Sequence, residues 1–203
     1  TDAPFLVYAE LRGLSFKDLS FYSLLILANR LVSLILAAGL IFFIYKCGRE
    51  IFDQKSSLGA AAIAALIVPL VYHAKTANLD IPYLFWFMIS VYFFLRLLRT
   101  HQRKYYLLFA LTAVLTVCTK DQAYGLYVLA PLAALFSDWQ WRKRTTPNLN
   151  FFRFLFSRTY LFAVLAAVAT FVLVYNLAFN WQGFLHHVRE ITGPTSQNYR
   201  LFP

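Results

Sequence analysis

Charge is scarce in this 203-residue sequence: only 14% of residues are Asp, Glu, Lys or Arg, against roughly a quarter in an ordinary soluble domain. Acidic residues are scarcer still, 9 against 19 Lys and Arg, for a formal charge of +10. Cysteine occurs twice, Cys47 and Cys118. No Gly/Ser linker, internal repeat, low-complexity tract or Asn-x-Ser/Thr sequon interrupts the chain. Walker, Gly-x-Gly-x-x-Gly, His-Glu-x-x-His, Gly-x-Ser-x-Gly and Cys-x-x-Cys motifs are all missing, so nothing supports a nucleotide-using or metal-hydrolase reaction. Apolar residues, in contrast, make up 60% of the chain, with 21 Phe, 13 Tyr and 4 Trp, which excludes a disordered basic tail.

The apolar residues gather into six runs, approximately Phe21–Tyr45, Leu58–Tyr72, Ile81–Leu98, Tyr105–Thr119, Ala123–Phe136 and Thr159–Phe179. Crossing a ~30 Å hydrocarbon core takes about 20 helical residues, which the first and last runs supply. None alternates with period two, so a β-barrel is not indicated. The expected fold is all-α: a polytopic membrane helix bundle of about six transmembrane helices. The first run is too long and too far into the chain for a signal peptide. The expected organisation is an extracytoplasmic or interfacial segment (1–20), a transmembrane bundle (21–179) and an extracytoplasmic loop or tail (180–203). Residues 59–66, Gly-Ala-Ala-Ala-Ile-Ala-Ala-Leu, offer small side chains for close helix approach.

Basic residues divide unevenly among the connections. Lys46, Arg49, Lys55, then Arg96, Arg99, Arg103, Lys104, then Arg142, Lys143, Arg144, Arg153 and Arg158 fall in alternate loops. The other loops carry Lys75, Lys120, Arg189 and Arg200. The positive-inside rule places the first set in the cytoplasm, where it orients the helices and meets lipid headgroups, and removes any need for a nucleic-acid partner. The same parity requires Tyr105–Phe136 to cross twice, as two short helices meeting at Lys120-Asp121. Each is ~5 residues short of a full span, which recesses that corner ~7 Å and calls for a polar cavity around it. Cys47 and Cys118 then lie at opposite ends of their spans, too far apart to pair. Trp139 and Trp141 suit an inner interfacial belt and Trp181 an outer one, with Phe151, Phe152, Phe154 and Phe156 an interfacial stretch.

Polar residues on the outer side are the candidate site. They are His73, Lys75, Asn78 and Asp80, then Lys120 and Asp121, then His186, His187, Arg189 and Glu190, with Arg30 inside the first run. Each also has a plain structural explanation. Arg30 can snorkel, Asp80 can cap the helix that begins Asp-Ile-Pro, Lys120-Asp121 can be a solvated tip, and Arg189-Glu190 can be a surface pair. Adjacent His186 and His187 point ~100° apart on a helix and make a poor metal pair. The cations against few carboxylates in an apolar frame suit an amphiphilic phosphate carried by a lipid.

Three stretches carry a family resemblance. They are Asn-Arg-Leu-Val-Ser-Leu-Ile-Leu-Ala-Ala-Gly-Leu (29–40) leading into Tyr-Lys-Cys-Gly-Arg-Glu-Ile-Phe-Asp (45–53), Tyr-His-Ala-Lys-Thr-Ala-Asn-Leu-Asp-Ile-Pro-Tyr-Leu-Phe (72–85), and Leu-Thr-Val-Cys-Thr-Lys-Asp-Gln-Ala-Tyr-Gly (115–125). Over about residues 4–137 their order and spacing resemble the GT-C membrane glycosyltransferases. More narrowly they resemble the dolichyl-phosphate-mannose protein mannosyltransferases and the aminoarabinose-transferase-like group. Arg30-Leu31, Asp80 and Thr119-Lys120 match that group's pattern, and Gly183 to Pro203 resembles an extracytoplasmic loop of some members.

The resemblance implies transfer of a sugar from a polyprenyl-phosphate donor to an extracytoplasmic acceptor, in a bacterial inner membrane with the active face outward. It implies donor-phosphate contacts for Arg30, Lys75, Lys120 and Arg189, with His73, Asp121 and Glu190 as polar cavity residues. Partners are the lipid-linked donor and the bilayer; no cofactor is called for, and a divalent-metal requirement stays open. The family's catalytic carboxylate is expected upstream of Thr1, on a helix and loop this sequence does not contain, which makes Asp80 the best candidate present. Asp2 and Glu10, flanking Pro4, fall later in that loop and are not promoted. Asp121 replaces the family's usual small residue after Thr-Lys. A transporter or flippase for a lipid-linked or anionic solute is the alternative.

Overall fold

The computed structural model describes residues 19–193; residues 1–18, with Asp2, Pro4 and Glu10, and 194–203, with Arg200, lie outside them. Within the described residues every regular element is helical, and the chain divides into two compact units, one up to His101 and one from Gln102.

The first unit opens with α1, Leu19–Ile51, 33 residues without proline. At 1.5 Å per residue it reaches ~50 Å, more than a hydrocarbon core requires. Asp53 stops it and starts the next helix. Its carboxylate accepts from the Ser56 hydroxyl and the Lys55 N–H, and these bonds hold its pKa below the usual range. Helix α2 follows over Gln54–Leu66 and α3 over Val68–Ala74. The run expected as one short span is therefore broken, with a 62° bend. Ile67 is extended there, and Pro69 in the first turn of α3 lacks the N–H that would continue α2.

Helix α4, Asp80–Thr100, runs parallel to α1. Ala37 meets Ile81 in one apolar cluster, Phe43 sits edge-on to Phe85 and Tyr92, and Glu50 accepts from Arg96 and Arg99 at 3.1 and 3.2 Å. Two parallel helices need a return between them, and α2 with α3 provides it: Ser57 lies against Gly48, and Ala74 against Ala37. The small residues that pack are Ser57, Ala61 and Ala64, one face of α2, whereas Gly59 meets open space. A Cβ at Gly48 would sit 3.1 Å from the Ser57 backbone.

The second unit repeats this logic. Helices α5 (Arg103–Thr119) and α8 (Arg158–Val174) are parallel, with Tyr106 edge-on to Tyr160 near their starts and Asp121 bonded to Tyr175 past their ends. The return is α6, Ala130–Thr145, followed by the short α7, Phe151–Leu155. The chain does double back after Thr119, but not as a sharp corner between two α-helices. Lys120 is extended, residues Asp121–Tyr127 form a 3-10 helix, and α6 starts only at Ala130 with Pro131 in its first turn. The last run also ends early: Asn176 takes a positive φ of 52° and closes α8 before a separate amphipathic helix, α9, Trp181–Thr192. Among the described residues, two helices are long and apolar enough to span a membrane, or three if the bent pair counts as one span.

Basic residues expected to meet only headgroups do more than that. Arg96 and Arg99 grip a Glu50 side chain that is 11% exposed. Arg142 bonds fully buried Asp138 at 2.9 Å, where the Tyr160 hydroxyl also donates and Tyr106 faces the carboxylate. Arg142 lies over the Phe154 and Tyr160 rings, closing the cluster. Replacing Asp138 by Ala removes the partner of Arg142 and of the buried Tyr160 hydroxyl. The expected loss is about 3–5 kcal/mol, read as a lower thermal midpoint in detergent, while Asp53→Ala at the exposed cap shifts it far less.

Candidate functional site

Each unit gathers polar side chains at the end away from its buried carboxylate. In the first, α3 ends at Ala74 and the turn 75–79 leads into α4. His73 Nδ1 lies 2.6 Å from Asn78 Nδ2 and 3.4 Å from an Asp80 carboxylate oxygen. These contacts are mutually exclusive in their proton: neutral Nδ1 accepts from the Asn78 amide, and only protonated Nδ1 donates to Asp80. Asn78 also accepts from the Asp80 backbone N–H through Oδ1 at 3.2 Å. That settles the capping question. Asp80 is not the cap; it is the first residue of α4, behind Leu79, and Asn78 covers its N–H. A carboxylate there is favoured by the helix dipole.

Lys75 closes α3 with an exposed side chain. Arg30 is exposed on α1, seven residues before Ala37 and so ~10 Å further along the axis, at the end where α4 begins. Arg30, His73, Lys75 and Asp80 thus share one end of the first unit.

At the matching end of the second unit, Asp121 opens the 3-10 helix after extended Lys120. Tyr175 donates its hydroxyl to Asp121 at 2.8 Å, and His187 Nε2 lies 3.3 Å from the other oxygen. Tyr175 in turn packs on Phe171, Phe184 and the His187 ring. Asp121 therefore ties three elements together: the 3-10 corner, the end of α8, and α9. Beneath it Tyr127 donates to buried Thr116 at 3.0 Å.

His186 and His187 diverge, the first pairing with Glu190 at 3.6 Å on an exposed face, the second with Asp121. Glu190 and Arg189 are both exposed, and Glu190 pairs with His186 rather than with the Asp121 cluster. Among the described residues no group of three or more His, Cys, Asp or Glu is placed to hold a metal. Chemically, the two ends offer cations for an anionic group and carboxylates to orient them or to accept a proton.

Sequence reasoning overlooked Tyr175 and the bond between His187 and Asp121, which only tertiary packing creates. It also overlooked Asp138, although a signal was present: Asp138 is the sole carboxylate between residues 122 and 189, four before Arg142 on one helix face.

A chain of apolar helices whose polar groups collect at helix ends is an integral membrane protein, and its class is defined by comparison. A family model described as dolichyl-phosphate-mannose-protein mannosyltransferase matches residues 21–158, more than half of the chain. The chain belongs to that family, and is a membrane glycosyltransferase of the GT-C type. No curated protein and no solved structure matches it.

The Asp121 bonds make α9 depend on the corner. Asp121→Ala is expected to speed amide hydrogen exchange across residues 184–192 by about fivefold, the worth of ~1 kcal/mol of hydrogen bonding, with α5 unchanged.

Proposed function

We propose that the protein transfers a sugar from a polyprenyl-phosphate carrier to an acceptor on the extracytoplasmic face of its membrane. Arg30, Lys75, Lys120 and Arg189 act on the donor phosphate, whose leaving oxygen gains negative charge as the glycosidic bond breaks. Asp80, next to His73, orients the sugar or the neighbouring cations and is the best candidate carboxylate among the described residues. Asp121 and Glu190 complete the polar lining. Residues 21–179 form the transmembrane part, with 1–20 and 180–203 outside it.

The observation that carries this reading is the family match, which contains Arg30, Asp80 and Thr119-Lys120 in order. The uneven division of basic residues supports the orientation. One feature favours the alternative, a transporter or flippase: the break at Ile67, since broken helices are common around transported solutes.

The test uses membranes containing the protein made from its complete reading frame and a radiolabelled polyprenyl-phosphate sugar. Transfer is expected, with Lys120→Ala lowering it at least about a hundredfold, the scale of removing one group that stabilises transition-state charge. Asp80→Asn is expected to lower it as well. Normal transfer by both variants defeats the reading, and carrier movement across the bilayer without transfer supports the alternative.

A further inference from the structure

The end of α6 divides its side chains sharply. Asp138 and Arg142, one turn apart, point into the unit and bond each other. Phe136, Trp139, Gln140, Lys143 and Arg144 recur at three- and four-residue spacing on the opposite side of the helix. They line an open groove of about 420 Å³.

Three properties of this groove identify an occupant. First, it is graded: from Phe136 to Arg144 the helix rises ~12 Å, from an exposed phenyl ring, through Trp139, to two exposed cations. That is the order of a bilayer boundary, with acyl chain, interface and phosphate. Second, no carboxylate competes. Asp138 is the sole acid between residues 122 and 189, and it is buried against Arg142 and Tyr160. Nothing in the lining holds a choline or ethanolamine cation, whereas Lys143, 5.7 Å over the Trp139 ring, and Arg144 hold an anion. Third, the adjoining surface is built for headgroup depth: Phe151, Phe152 and Phe156 are exposed beside Arg153 and Arg158.

We infer that this groove is a binding site for one anionic phospholipid, its phosphate held by Lys143 and Arg144 and its acyl chain laid along Phe136 and Trp139. The site uses none of the residues assigned to sugar transfer and rests only on the protein's being in a membrane.

Native mass spectrometry of the full chain in neutral detergent, titrated with phosphatidylglycerol and phosphatidylcholine together, tests it. The unaltered protein is expected to retain phosphatidylglycerol preferentially. Lys143→Gln with Arg144→Gln is expected to cut that preference at least about tenfold, the scale of two cations near a headgroup. Arg153→Gln with Arg158→Gln, equal in charge but off the groove, is expected to keep it. Gln140→Trp fills the groove without altering charge and is expected to lower retention, with helical circular dichroism confirming that each variant is folded. Equal loss in both double variants means diffuse attraction and overturns the site, as does no loss in the first. Displacement of the lipid by millimolar inorganic phosphate also overturns it, since the ligand would then be the free anion.

Discussion

A carboxylate removed from water must be paired, and in this protein two such carboxylates organise the helices around them. Glu50 joins the ends of α1 and α4 through Arg96 and Arg99. Asp138, paired with Arg142 on its own helix, joins α6 to α8 through Tyr160. An apolar helix in lipid has little hydrophobic reason to choose one neighbour over another. A buried charge supplies the choice, because a shifted register takes from Glu50 its counter-ions and from Asp138 the Tyr160 hydroxyl. The exposed Arg99 adds little by itself; the weight falls on the groups that are hidden.

These pairs change what the net charge of +10 means. Its basic residues had an explanation in topology alone, as cations that keep one set of loops in the cytoplasm. Arg96 and Arg142 also act as structural partners of buried acids, while Lys143 and Arg144 remain exposed at the bilayer boundary. In each unit the buried acid is thus paired, and the opposite end presents Arg30 and Lys75, or Lys120 beside Asp121. On the proposed function, the lipid phosphate is held at the latter.

Much of this was legible in the sequence. Length and apolarity gave α1 and α4, the basic-residue parity required the reversal after Thr119, and three ordered motifs pointed to the family. Hydropathy records which side chains tolerate lipid, not where the backbone breaks. It therefore passed over the bend at Ile67, although Pro69 was a visible signal. It also read residues 123–127 of the 3-10 stretch as the start of an α-helix, and the αL turn at Asn176 as continuous helix. In the site, Arg30, Asp80 and Lys120 were found as costly polar residues, but their settings were not. Asn78 covering the Asp80 N–H is a local turn contact, whereas Tyr175 and His187 converging on Asp121 are products of tertiary contact between segments up to 66 residues apart.

The central claim is that the cations at these ends hold the phosphate of a lipid carrier. Direct binding of a polyprenyl phosphate without its sugar to the purified protein isolates that step from catalysis. The account predicts saturable binding that weakens at least about tenfold when Arg30 and Lys120 are both changed to Gln, two charge-assisted contacts being lost. It predicts no change on replacing Arg153 and Arg158. Equal affinity in the Arg30 and Lys120 double variant would contradict it.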